Sequence, residues 1–227
     1  MAQIIGICGL IGSGKDTVAD YLIQNYGFKR DAFAATLKDA AAAIFGWDRA
    51  MVDGLTKESR AWREQVDTWW SERLDIPELT PRWVLQQWGT ELFRTHFHAD
   101  IWVACIENKL RKTTQNVVIT DCRFPNEIAA IKKAGGTVIR VVRGETPSWI
   151  PIAETAMRPQ WDFNLYQGGG SPSGIALQRL KALNIHASEY SHIGAPFDRI
   201  IDNNGTLEEL YATIKNLVAH QQVATAA

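Results

Sequence analysis

Apolar positions follow two rhythms along this chain. Short unbroken runs alternate with stretches in which apolar residues recur every three or four positions. The first run covers residues 3–8 and leads into Gly9-Leu10-Ile11-Gly12-Ser13-Gly14-Lys15-Asp16-Thr17. A helical pattern follows from Lys15 to about Tyr26, with Gly27 placed to end it. Residues 28–33 read as a second strand, and Leu37–Phe45 as an Ala-rich helix. From there to residue 116 the pattern is helical only. Trp62, Val66, Trp69, Trp70 and Leu74 share one spacing, which predicts a helix over 58–74. Thr80-Pro81 reads as N-cap plus first-turn proline of a helix presenting Val84, Leu85, Trp88, Leu92 and Phe93. Asp100 caps a further helix. Apolar runs return at 117–121, 137–142 and 199–202, with a helix over 126–134 between the first two. Thr206 and Glu209 form a capping-box pattern for the closing helix. Residues 143–180, rich in Pro and containing Gly168-Gly169-Gly170, read as irregular and as the segment best suited to move.

Strands alternating with helices predict an α/β, three-layer fold with a five-stranded parallel sheet covered on both faces. About 80 residues separate the second and third strands, where a crossover needs about a dozen. The expected organisation is one domain over 1–227, a helical lobe inserted over 35–116, and a lid over 143–180. The lobe enters at the carboxyl ends of the strands, where ligands bind in such sheets.

Strand, Gly-rich turn, then Gly-Lys at a helix start is the context of a phosphate-binding loop. Glycines let successive N–H groups turn inward, and the helix N-terminus adds its dipole. Lys15 is placed to reach the terminal phosphates as a mobile point charge. The usual Ser or Thr after the lysine is replaced by Asp16, with the hydroxyl one later at Thr17. A carboxylate beside a triphosphate makes sense with Mg²⁺ between them. Asp121, ending an apolar strand, suits a second magnesium role. Arg123 is placed to fork onto a phosphate, the bland alternative being a salt bridge with Glu127. Arg140, Arg143 and Arg158 flank or lie in the irregular segment, from which a lid supplies positive charge to a moving phosphoryl group. In the inserted lobe Arg82, Gln86, Thr90, Glu91 and Arg94 stand three or four apart, so most share one helix face. An ordinary polar face explains that spacing equally well.

Composition removes other classes. The formal net charge is −1 and no long basic run occurs, which argues against nucleic-acid binding. Cys8, Cys105 and Cys122 are scattered and read as free thiols of a reducing compartment. His96 and His98 lack further ligands at zinc spacing. No nucleophile elbow accompanies His186, Ser188 and Glu189, so a serine hydrolase is rejected. No apolar run reaches membrane-spanning length, and the first strand starts almost at once, so neither a membrane span nor a signal peptide is expected. Nine tryptophans point to large aromatic surfaces, and the face of residues 62–74 suits either a core or a homodimer contact.

The Ser13–Thr17 loop, Phe33-Ala34 with Leu37-Lys38, Leu85-Gln86 through Gly89-Thr90-Glu91 to Arg94, Asp100-Ile101-Trp102 and the Asp121–Glu127 run resemble the bacteriophage deoxynucleoside monophosphate kinases. So do His186-Ala187-Ser188-Glu189 and Asn203-Asn204-Gly205. The similarity spans most of the chain and is weak over 144–180. The Asp after the loop lysine agrees with that family. Asn204 departs from its Asn-Asp-Gly run.

The resemblance implies a P-loop nucleoside monophosphate kinase fold, ATP and Mg²⁺ as cofactors, and a deoxynucleoside monophosphate as acceptor. It implies that Gly12, Ser13, Gly14, Lys15, Asp16 and Thr17 hold ATP, with Asn203 near the donor adenine. Asp16 and Asp121 would organise the metal. Lys38, Arg82, Gln86, Glu91 and Arg123 would face the acceptor. Lys15, Arg123 and a lid arginine, taken as Arg143, would act in transfer. The cytoplasm, that of the host if the chain is phage-encoded, is the expected location. Two competing readings stand beside it: another small-molecule kinase, of the dephospho-coenzyme A kinase kind, and an ATP-binding switch without transfer activity.

Overall fold

The computed structural model describes residues 2–161 and 172–226, with residues 159–161 and 220–226 given by backbone alone. In chain order, β1 (Ile4–Cys8), α1 (Lys15–Tyr26) and β2 (Lys29–Asp31) are followed by α2 (Ala35–Phe45), α3 (Arg49–Asp53), α4 (Lys57–Trp62), α5 (Thr68–Leu74) and α6 (Pro81–Gln86). A π-helical stretch, Gln87–Phe97, leads to α7 (Ile101–Leu110). Then come β3 (Val117–Ile119), α8 (Pro125–Lys133), β4 (Thr137–Val142), α9 (Ile150–Trp161), α10 (Pro172–Ala182), α11 (Ala187–Tyr190), β5 (Arg199–Asp202) and α12 (Leu207–Ala226). The chain forms two compact units. One holds the residues up to Ala32 and from Lys109 onward; the other holds Phe33–Asn108.

The first unit is a five-stranded, all-parallel sheet in the order β2-β3-β1-β4-β5. β1 is central and all five of its residues are buried, as a parallel strand covered on both faces requires. Ile5 and Ile7 of β1, Val118, Ile139, Val141 and Ile201 pack with Val18, Ala19 and Leu22 of α1 and Leu210, Ile214 and Leu217 of α12. Tyr21 of α1 stacks on Tyr211 of α12 at 4.2 Å between ring centroids. α8 packs against β1 and β4. This layering aims β1 at the start of α1, and so fixes where the loop between them stands.

The stretch expected to be irregular, 143–180, instead contains two helices, α9 and α10, where it is described. They pack on each other through Ile150, Ala153, Ala156, Ala176 and Leu180, with Ile193 completing the cluster. Prolines misled the reading. Pro151 sits in the first turn of α9 and Pro172 starts α10, positions where the missing N–H costs nothing. The expected Gly168–Gly170 run lies outside the described residues.

The second unit is helical. Phe45 stacks on Trp47 at 4.3 Å and meets Trp70 and Trp88; Trp88 meets Phe93, and Phe93 meets Trp102. Their indole N–H groups are paired: Trp47 donates to Asp67 at 2.8 Å, Trp70 to the Phe45 carbonyl at 3.1 Å and Trp102 to the Gly89 carbonyl at 2.9 Å. Trp102 is buried, and the other rings pack around it half-buried. The helix expected over 58–74 is two helices. A Thr56–Ser59 capping box starts α4, and Asp67 caps α5 by accepting from the Trp70 N–H at 3.1 Å. The break leaves Val66, Trp69 and Leu74 exposed. The helix expected through Trp88 and Phe93 widens at Gln87: the His98 N–H reaches five residues back to the Phe93 carbonyl at 2.8 Å. Such π-helical segments often mark functional positions. Among the described residues no helix is long and apolar enough to cross a membrane.

Candidate active site

The loop between β1 and α1 is shaped by glycines where side chains do not fit. Gly9 (φ 148°) and Gly14 (φ 97°) lie in the positive-φ region. A β-carbon on Gly9 would stand 2.5 Å from the Val141 carbonyl oxygen, and one on Gly14 would run into the Asn203 amide. The same Asn203 Nδ2 donates to the Ser13 carbonyl at 2.8 Å. The turn after β5 is thus tied to the loop. It is tied to the end of β4 as well, because the Gly144 N–H donates to Asn204 Oδ1 at 2.7 Å. Ser13 is buried, and its hydroxyl has no partner among the described residues.

Lys15 begins α1 and folds back on the loop, donating to the Gly9 and Leu10 carbonyls at 2.8 and 2.7 Å. Burial, and then the neighbouring Arg123, push its ammonium pKa down; Asp16, Glu189 and Cys8 pull the other way. Asp16 is exposed and pairs with Arg30 at 2.9 Å, and Arg30 also holds Asp20 at 2.7 Å. Thr17 is half-buried in the first turn of α1. Asp121 follows β3, the neighbour of β1, two residues beyond its last member.

Arg123 lies close by. Its expected bland partner, Glu127, does something else: the Glu127 carboxylate is 2% exposed and accepts the backbone N–H groups of Arg123 and Phe124 at 2.8 and 3.1 Å. The Arg123 guanidinium reaches α11, donating through Nη1 to Ser188 Oγ at 3.1 Å and Glu189 Oε1 at 2.9 Å. Arg140 is half-buried over the Phe197 ring, 5.9 Å from its centroid; burial lowers its pKa against the pull of Glu154. Arg143 and Arg158 are exposed. Cys8 and Cys122 are buried free thiols, and burial, with Cys8 nearby, pushes the Cys122 thiol well up, which leaves it inert.

One residue that the sequence did not single out stands out here. His192 is 1% exposed, and neither ring nitrogen has a partner among the described residues. Burial and then Arg140, Lys15 and Arg123 hold its pKa at about 3. A lone histidine in a stretch without a motif carries no signal of this.

The residues expected to meet an acceptor lie in the second unit. Lys38 of α2 donates to the Asp53 carbonyl and carboxylate at 3.1 and 3.2 Å. Arg82 is ion-paired with Glu64, and Gln86 and Glu91 are exposed. Arg63, also unmarked in the sequence, lies half-buried against Gly54, where a β-carbon would strike its guanidinium. Burial and then Arg82 push its pKa down, and its buried Nε has no partner among the described residues. Among the described residues no cluster of three His, Cys, Asp or Glu side chains makes a metal site, His96 and His98 included.

A parallel sheet with this strand order, and a glycine-shaped loop presenting Lys15 at the start of the first helix, define a P-loop kinase-type nucleotide-binding protein. Residues 55–150 match the family model of the deoxynucleotide monophosphate kinases. The deoxynucleotide monophosphate kinase of Enterobacteria phage T4 is 23% identical over 270 residues, covering 94% of this chain and 98% of that protein. The deoxynucleoside-5′-monophosphate kinase of Escherichia phage T5 is 28% identical over 176 residues, covering 56% of this chain and 70% of that one. A protein of Acanthamoeba polyphaga mimivirus, provisionally named a deoxynucleotide monophosphate kinase, is 28% identical over 229 residues and 95% of each chain. Over these residues and these relatives the chain is similar to the deoxynucleotide monophosphate kinase family.

Proposed function

We propose that the protein transfers the γ-phosphoryl group of ATP to the 5′-phosphate of a 2′-deoxynucleoside monophosphate, giving the diphosphate and ADP. The observation that carries this reading is the pairing of Lys15, at a phosphate-binding loop, with Arg123 close enough to shift its titration, in a chain similar to this family. An oxygen of the acceptor phosphate attacks the γ-phosphorus, and the bond to the β,γ-bridging oxygen breaks with its electron pair leaving on ADP. The attacking oxygen is already anionic, so no base is required, and catalysis is alignment and charge neutralisation.

Each residue then has a task. The amides of Gly12, Ser13 and Gly14 and the hydroxyl of Thr17 hold the donor phosphates. Lys15 exchanges two neutral carbonyls for a phosphate oxygen, a stronger charge-assisted partner. Arg123 and Arg143 offset charge on the moving group. Asn203 borders the donor base. Lys38, Arg82, Gln86 and Glu91 hold the acceptor. Asp16 and Asp121 would hold Mg²⁺. The fit is chemical: two hard carboxylate donors suit a cation that takes its remaining ligands from phosphate and water. The ion would supply charge neutralisation to the donor phosphates. Asp16 must leave Arg30 to serve it. The cytoplasm, that of the host if the chain is phage-encoded, is the proposed location.

The test is ADP release from ATP and Mg²⁺ with each deoxynucleoside monophosphate and its ribonucleotide, for wild type and Lys15→Ala. Turnover with a deoxynucleotide, lost in the variant, is expected and names the accepted base. ATP binding without acceptor-dependent turnover would overturn the reading in favour of a binding switch.

A further inference from the structure

Arg123 is held at both ends. Its backbone N–H is fixed by the buried Glu127 carboxylate at 2.8 Å. Its guanidinium makes both of its hydrogen bonds through one nitrogen, Nη1, to Ser188 Oγ and Glu189 Oε1. Nε and Nη2 carry no partner among the described residues. Those two nitrogens form the side-on fork of a guanidinium, the edge that matches two phosphate oxygens at once.

The clamp on Nη1 is itself built. His186 caps α11, its Nδ1 accepting the Ser188 N–H at 3.2 Å and lying 2.9 Å from Ser188 Oγ. An Nδ1 that accepts an N–H carries no proton. The Ser188 hydroxyl therefore donates to Nδ1 and turns a lone pair to Arg123. Glu189 supplies the charge: its side chain is 23% exposed, and it stands 2.9 Å from Nη1. It also pulls the Lys15 pKa upward where Arg123 pushes it down, so it offsets the mutual repulsion of the two cations.

We infer that Glu189, seconded by Ser188, is a positioning residue for phosphoryl transfer: it occupies Arg123 Nη1 and so leaves the Nε–Nη2 edge as the one presented to phosphate. This rests on the transfer reading above. Glu189 touches no reacting atom, and its hydrogen bond into the site is to Arg123.

A double-mutant cycle tests that statement, because residues acting through one contact are non-additive. Glu189→Ala should lower kcat by up to about 100-fold, the cost of a slightly misplaced catalytic group. Glu189→Gln, which keeps an acceptor for Nη1, should recover part of the loss. In an Arg123→Ala background, Glu189→Ala should change kcat by less than about twofold. Additive losses, or wild-type turnover in Glu189→Ala, would overturn the inference. If the wild type turns over no acceptor, the transfer reading fails, and calorimetric titration of ATP into the same four proteins decides the clamp instead. Weakened binding in both single variants with no further loss in the double variant supports it. Independent losses, or no loss in Arg123→Ala, overturn it.

Discussion

Acidification should destabilise this protein through His192, and His192→Phe should remove that part of the response. The ring is 1% exposed and its pKa in the folded chain is about 3, against 6.5 as the ordinary value. The folded value lies below the unfolded one, so between these limits the unfolded chain binds more protons and stability falls as the pH falls. From about pH 7.5 to about pH 5 the unfolded histidine takes up nearly one proton and the folded one almost none. Integrating the linkage over that interval gives a loss of about 2 kcal/mol from this group. With a urea slope of about 3 kcal/mol per molar, that is a midpoint shift of about 0.7 M. The assay is urea unfolding followed by far-ultraviolet circular dichroism at the two pH values, for wild type and His192→Phe. The quantity compared is the change with pH in each protein. A packing cost of the phenyl ring, equal at both pH values, cancels. The other titrating groups are common to both proteins, so the variant should lose about 2 kcal/mol less than wild type on acidification. Equal losses, within about 0.5 kcal/mol, would refute the claim that the folded state keeps this ring neutral beside Arg140, Lys15 and Arg123.

Two shorter predictions follow from the same geometry. Gly14→Ala puts a β-carbon against the Asn203 amide at a φ of 97°, so it should abolish ATP binding in calorimetric titration and lower the thermal midpoint. Arg82→Ala removes an exposed ion pair with Glu64, so unfolding free energy should change by no more than about 1 kcal/mol, while KM for the accepted deoxynucleotide rises and KM for ATP does not.

The sheet was legible because its strands are buried on both faces and read as bare apolar runs: Ile4–Cys8, Val117–Ile119 and Thr137–Val142 stand where the runs placed them. The phosphate-binding loop was legible because its geometry can be met only with glycine at fixed offsets. Helix breaks were harder. Periodicity carried the eye through residues 63–67, where local caps at Thr56 and Asp67 outweigh the apolar spacing. The widened turn at Gln87–Phe97 leaves the residue types unchanged and shifts only which carbonyl each N–H finds. Least legible were the long-range polar partners. Glu127 was weighed against Arg123 because it is four residues away, yet the guanidinium chooses Glu189, 66 residues on. Sequence spacing predicts contacts within one element and is silent on which returning segment closes a site.

That silence hides how an electropositive site stays folded. The site beside the loop gathers Lys15, Arg123, Arg140 and His192, and four like charges in partly desolvated surroundings would repel strongly. Each is discharged differently. Lys15 rests on two carbonyl dipoles, and Arg123 on the Glu189 carboxylate. Arg140 lies over the Phe197 ring with Glu154 as its counter-charge. His192 is the one member able to lose its charge at neutral pH, and it does. The partners of Lys15 and Arg123 are weak enough, or leave enough donors free, to be traded for phosphate. A buried neutral imidazole adds no charge that a cationic side chain there would have to offset. On this argument His192→Lys should be tolerated far less than His192→Phe, since it would place a fourth permanent cation where three are already balanced.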